Sequence, residues 1–173
     1  MAQREETEGV AGKRRTLALE VRRSTFGFVM LEGVSLLLDW GARRRSPGQA
    51  VATSFRKITA LLDTYGPADI VVGCRGGHRT LRGHGEIALL VRMIRAEAKR
   101  RSINVRIVKK SEVRSFFATH ACRNKHARAT LLTGWFEELS RYLPPSREIW
   151  RPEPYSMRMF DALASAMTLF GRS

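Results

Sequence analysis

Residues 16–41, TLALEVRRSTFGFVMLEGVSLLLDWG, decide the fold. Three short runs rich in Leu, Val, Phe and Met (17–21, 26–31 and 35–40) are separated by Arg22-Arg23-Ser24-Thr25 and by Glu32-Gly33-Val34. Short apolar runs with turn residues between them predict a meander of antiparallel strands. Strand side chains alternate, so Leu17, Leu19 and Val21 share one face of the first strand while Ala18, Glu20 and Arg22 share the other. Glu20 thus ends a hydrophobic strand at the centre of the sheet. An ionised carboxylate is too costly to bury alone, so Glu20 is either a paired structural charge or a ligand.

Outward from this meander the chain changes character. Val51, Phe55, Ile58, Leu62 and Tyr65 recur at helical spacing after Ser46-Pro47, a capping residue followed by a proline suited to a first helical turn, and Gly66-Pro67 stops the helix. The run DIVVGC, 69–74, is nearly continuous in apolar residues, as in a buried parallel strand. A loop at 75–85 follows, with Arg75, Arg79 and Arg82 among four glycines and two histidines. Glycines allow close approach and guanidinium groups grip phosphates, and ligands bind open α/β sheets where loops leave the C-terminal ends of strands. The competing reading is a flexible surface loop.

Ile87, Leu90, Val91, Ile94 and Ala98 mark a second amphipathic helix, and 103–108 a fifth strand. Ser111 is the candidate N-cap of a short helix that follows Lys109-Lys110. A long helix from Lys125 is expected to continue through Ala127, Leu131, Trp135, Leu139 and Tyr142, with Trp135 in the core. The last helix starts at about Tyr155 and carries Phe160, Leu163, Ala164, Met167 and Phe170 on one stripe, with Asp161 beside it. Met157, Met159 and Met167 are expected in the core, and Trp40 and Trp150 near strand and loop ends.

The full sequence has 173 residues, of which 43% are hydrophobic, enough for one domain with a sizeable core. Residues 1–15 read as a disordered lead-in and 16–171 as a single domain. Lys and Arg total 31 against 16 Asp and Glu, a formal charge of +15. That field favours polyanions, and with no anchor or membrane-length apolar run the expected partner is nucleic acid rather than a membrane. Cys74 and Cys122 have no CxxC spacing, which suits a reducing, cytoplasmic setting and provides no disulfide framework.

An acid closing the first strand, then a tight turn, then Gly27, Phe28 and Val29, with Leu37-Leu38-Asp39-Trp40-Gly41 in the third strand, resembles the RNase H-like superfamily. Within it the chain resembles the RuvC-type Holliday-junction resolvases. Ser111-Glu112-Val113 after the last strand, a basic loop at 120–124 leading to Lys125, and Asp161-Ala162-Leu163-Ala164 near the end stand in the same order as in that family. The resemblance implies an α/β, RNase H-like three-layer fold, its five-stranded mixed sheet (three antiparallel strands, then two parallel) flanked by helices. It implies Glu20 and Asp161 as catalytic and metal-binding residues facing one another. Nucleic acid, DNA in preference to RNA, is then the ligand of Arg75, Arg79, Arg82, Lys109, Lys110, Arg123, Lys125 and Arg158. It further implies a homodimer, since a four-way junction offers two equivalent cleavage positions.

Family members that hydrolyse phosphodiesters gather about four carboxylates around two Mg²⁺ ions, because hard cations want oxygen ligands and the acids must offset their charge. Here the acid expected after the fourth strand falls at Cys74 or Arg75, and the other acid of the final helix falls at Arg158. Glu86 and Glu153 are the candidate replacements. Cys74, His78 and His84, or His120, Cys122 and His126, are alternative zinc triplets, but neither has a familiar spacing or a clear fourth ligand. No organic cofactor is expected, and Mg²⁺ only in an active enzyme. Three functions remain: a nucleic-acid-binding protein for branched or structured DNA with an altered metal site, an active Mg²⁺-dependent structure-selective nuclease acting in DNA recombination, and a non-catalytic scaffold of a nucleoprotein complex.

Overall fold

The structure, a computed structural model, describes residues 13–45, 48–74, 79, 82–146 and 150–171. Strands β1 (Arg15–Val21), β2 (Thr25–Glu32), β3 (Leu36–Arg44), β4 (Asp69–Cys74) and β5 (Asn104–Lys109) form one sheet in the order β3-β2-β1-β4-β5. The β1–β2 and β2–β3 pairs are antiparallel, and the β1–β4 and β4–β5 pairs are parallel. This is the mixed sheet expected from the meander and the buried run at 69–74.

Alternation along the strands divides the core in two. Leu17, Leu19 and Val21, with Phe26, Phe28 and Met30, pack under α1 (Ala50–Tyr65) and α2 (Glu86–Arg100). Ala18, Val29, Leu31 and Val71 pack on the opposite face under α3 (Lys110–Ala118), α4 (Lys125–Trp135) and α5 (Met157–Phe170). The helix α5 lies closest to the sheet, and ten of its residues are buried, among them Phe160, Leu163 and all three methionines.

Its approach depends on two glycines. Glu20 is paired across the sheet with Gly27 on β2 and Gly73 on β4. A Cβ at Gly27 would fall on the backbone of Arg158, and one at Gly73 on the Glu20 carboxylate and the Ser165 hydroxyl. The row Gly27-Glu20-Gly73 is therefore the trough in which α5 rests.

Several local expectations are corrected. The long helix ends at Trp135, and the chain continues as a 3₁₀ turn, Glu137–Tyr142. Gly134 weakens the last α-helical turn, and Phe136 leaves helical geometry (φ −132°, ψ 85°) to bury its ring, with Leu139 following it into the core. Trp135 stacks on Phe117 but remains 42% exposed, so it is not a core residue. Ser111 lies inside the first turn of α3. The Glu112 carboxylate caps that helix instead, accepting from the Lys109 N–H at 2.6 Å. The final helix begins at Met157 rather than about Tyr155.

Arg15, assigned from sequence to the lead-in, opens β1 and donates to Glu32 and to the Tyr65 carbonyl, while residues 1–12 lie outside the described residues. The cap assigned to Ser46-Pro47 also lies outside them, and α1 begins at Ala50. No helix among the described residues is long and apolar enough to cross a membrane.

Overpacking a tight core contact costs typically 1–3 kcal/mol, and here the obstacle is backbone, which has least room to yield. Gly27→Ala should therefore lower the unfolding free energy by about 3 kcal/mol, read as a shift in the urea midpoint. The same change at Gly85, which has open space around its Cβ direction, should cost far less.

Candidate functional site

The site is built on the trough. Glu20 is 4% exposed and its Oε1 pairs with Arg22 Nη2 at 2.5 Å, an i, i+2 contact that strand alternation places on one face. Asp161 projects from α5 toward it. The N-cap Asn124 accepts from the Ala127 N–H at 2.8 Å and so fixes the start of α4. That places Lys125 beside Asp161, with Nζ at 3.1 Å from Oδ2 and at 2.8 Å from Glu153 Oε1. Arg158, one turn ahead of Asp161, donates to Asp161 Oδ2 at 2.8 Å, to Glu153 Oε2 at 2.6 Å and to the Thr25 hydroxyl at 3.1 Å. Arg128, itself buried, lines the same small cavity of about 20 Å³ beside Glu20.

The centre is thus three carboxylates interleaved with cations. Burial, and then repulsion from Asp161, push the Glu20 carboxyl up to about 7 against the pull of Arg22, Arg158 and Lys125. Burial would also raise Glu153, but Lys125 and Arg158 outweigh it and hold Glu153 below the usual range. For Arg158 burial opposes the charge, and Glu153 and Asp161 overcome it, so its proton is held more tightly than usual. Burial lowers Arg128.

Sequence similarity gives no family: no family model and no curated protein matches the chain. Solved structures do match. Thermus thermophilus RuvC in complex with a Holliday junction substrate superposes with a TM-score of 0.65 at 16% identity, covering 92% of this chain and 95% of that one. The fold is that of RuvC. A second T. thermophilus RuvC structure gives 0.62 at 16% identity over 89% and 91% of the two chains. The yeast mitochondrial Holliday junction resolvase Ydc2 gives 0.55 at 13% identity over 93% and 79%.

Within the RuvC-like fold the residues predicted from sequence fall as follows. Glu20 and Asp161 line one cavity, together with Lys110 and Lys125. Lys109 is exposed at the end of β5, across from Cys74 at the end of β4, and Arg123 is exposed just ahead of α4. Arg79 and Arg82 are exposed, while Arg75 and His78 lie outside the described residues. Arg158 is enclosed by the two carboxylates rather than directed outward.

Of the two replacement acids, Glu153 joins the centre. Glu86 lines a separate cleft with Arg45 on the α1–α2 face. Of the positions where a fourth-strand acid was expected, Cys74 is buried at the end of β4 and Arg75 lies outside the described residues; the residue paired with Glu20 is Gly73, which has no room for a side chain.

The first zinc triplet includes His78, outside the described residues, and the second, His120, Cys122 and His126, is not assembled. The Cys122 thiol is directed at the carbonyls of His120 and Ala127, and His126 Nε2 contacts the Pro144 carbonyl. Among the described residues no group of three or more His, Cys, Asp and Glu is arranged to hold a metal ion. Lys125 and Arg158 both donate to Asp161 Oδ2 and both contact Glu153, so a divalent ion entering here would have to do so beside two cations, which oppose it.

Sequence reasoning did not single out Arg22 and Arg128 for the centre. Both carried a signal: Arg22 shares the strand face of Glu20, and Arg128 lies three residues beyond Lys125 on one helical face.

A carboxyl with an ordinary value near 4.5 that rises to about 7 on folding makes the folded state bind more protons than the unfolded one between those limits. Its contribution to stability therefore falls as pH rises through that window. Glu20→Gln removes this penalty, so the stability of the variant relative to the parent should increase from about pH 5 to about pH 8, measured by urea unfolding. A difference that stays flat with pH would show that Glu20 titrates in its ordinary range.

Proposed function

We propose that this protein binds nucleic acid, branched or structured DNA in particular, through a RuvC-like surface whose acidic centre is neutralised by its own side chains instead of by Mg²⁺. One observation carries the reading: Lys125 and Arg158 sit where they bridge Glu153 and Asp161 at 2.6–3.1 Å. The centre then acts as a structural keystone, and binding energy comes from cations around it. The net charge of +15 supports a polyanionic ligand, and the exposed Arg79, Arg82, Lys109 and Arg123 are the contacts to phosphate. The partner in this reading is DNA rather than RNA, and the protein acts as a homodimer matched to the two-fold symmetry of a four-way junction. A second reading, an active structure-selective endonuclease, is favoured by the convergence of Glu20, Glu153 and Asp161 at one point.

The two readings separate on a synthetic four-way junction, with linear duplex DNA and RNA as controls, in Mg²⁺ and in a chelator. The binder should hold the junction tightly in both, leave it uncut, and keep its affinity within about threefold in Glu20→Gln and Asp161→Asn. Metal-dependent cutting that disappears in both variants would establish the nuclease.

Replacing Arg79 and Arg82 together by Ala should weaken binding and reduce the slope of log affinity against log salt by up to about 2. Unchanged binding would remove this loop from the interface.

A further inference from the structure

Two of the exposed aromatic side chains, Trp150 (77% exposed) and Tyr155 (48%), lie in one short segment, 150–155, that leads into α5. Pro152 and Pro154 fix φ at two positions of that segment and so restrict its backbone. Tyr155 is held from two sides. Its carbonyl accepts from the Arg158 N–H at 3.0 Å, and the guanidinium carbon of Arg44 lies 5.7 Å from its ring centroid. Arg44 is paired with Thr25 at the end of the β2–β3 ladder, and the Thr25 hydroxyl accepts from Arg158. The Tyr155 ring therefore stands beside the acidic centre, at the edge of the sheet where β1 ends and β2 begins.

The exposed charge around these rings has one sign. Arg23, Arg43 and Arg44 are exposed at this edge and Arg151 in the segment itself. The nearby acids, Glu20, Glu153 and Asp161, are paired with Arg22, Lys125 and Arg158. Trp135 is exposed too, but the exposed Glu137 and Glu138 follow it and would repel a polyanion. Aromatic faces interleaved with arginines suit a single nucleic-acid strand, because every base has a π-face and guanidinium groups pair with the phosphates between bases. Bases inside a continuous duplex are stacked on one another and cannot be reached in this way.

We propose that residues 150–155 and Arg44 form a stacking platform for unpaired bases of a DNA strand, in which Tyr155 and Trp150 each take a base and the exposed arginines hold the adjoining phosphates. Five peptide units separate the two rings, a span of at most about 18 Å, which one short strand covers. The inference rests on the nucleic-acid reading above and narrows it: the preferred ligand carries unpaired bases at its branch point.

The test measures binding of the full chain, at one salt concentration, to oligo-dT, to an abasic strand of the same length and charge, and to four-way junctions with and without unpaired thymidines at the crossover. Oligo-dT should bind about tenfold more tightly than the abasic strand, and the junction with unpaired thymidines more tightly than the fully paired one. Tyr155→Ala and Trp150→Ala should each weaken oligo-dT binding about fivefold or more and leave the abasic strand unaffected, while Tyr155→Phe, which restores a ring, should recover most of the loss. Both side chains are exposed, so the variants should keep the urea midpoint of the parent.

Equal affinity for oligo-dT and the abasic strand, or oligo-dT binding indifferent to both alanine variants, would overturn the platform; junction binding that persists in that case leaves the nucleic-acid reading standing. Oligo-dT binding that depends on Tyr155, without binding to either junction, would keep the platform and remove the branched ligand. Absence of binding to all four ligands would overturn both.

Discussion

The close approach of α5 to the sheet over Gly27, Glu20 and Gly73 is the constraint from which the rest of the structure follows. A helix can rest on a sheet at that distance only where side chains are missing beneath it, and the two glycines flanking Glu20 provide the gap. The helix then delivers Arg158 and Asp161 to the end of β1. The packing that buries ten residues of α5 also removes Glu20 from water. Desolvation of a carboxylate and docking of an apolar helix are one event here, so the charge of the centre had to be settled by neighbouring side chains.

The charges that face these carboxylates are Arg22, Lys125 and Arg158. Metal centres of this type collect carboxylates and let divalent ions balance them. In this structure the Lys125 ammonium and the Arg158 guanidinium lie against the Glu153 and Asp161 carboxylates. Part-burial strengthens the attraction in these pairs and also costs hydration, so their net worth is small compared with the cost of breaking them. Losing one partner leaves the others uncompensated, a cost of about 3–5 kcal/mol in buried pairs. Such a centre holds α4, the segment before α5, and α5 itself in a single arrangement.

Much of this was legible in the sequence, for definite physical reasons. The meander, the run DIVVGC and the stripe of α5 rest on alternation and helical periodicity, which survive any detail of packing, and they marked out the strands of the sheet and the buried face of the last helix, while the facing of Glu20 and Asp161 came only from the family resemblance. Illegible were features set by long-range packing. The break after Trp135 depends on Phe136 finding a buried place. The exposure of Trp135 depends on Phe117 occupying the space inside it. The role of Glu153 rather than Glu86 depends on where a proline-rich segment returns to the sheet.

Gly73 sets the order in which substitutions can be accepted. Its missing side chain is the space taken by the extra methylene reach of Glu20, with the Ser165 hydroxyl closing the other side. A new side chain on β4 would therefore be tolerated only after the acid on β1 had been shortened and Ser165 had yielded. Positions 20, 73 and 165 are therefore coupled by packing: a side chain at 73 needs the room that the residues at 20 and 165 now occupy.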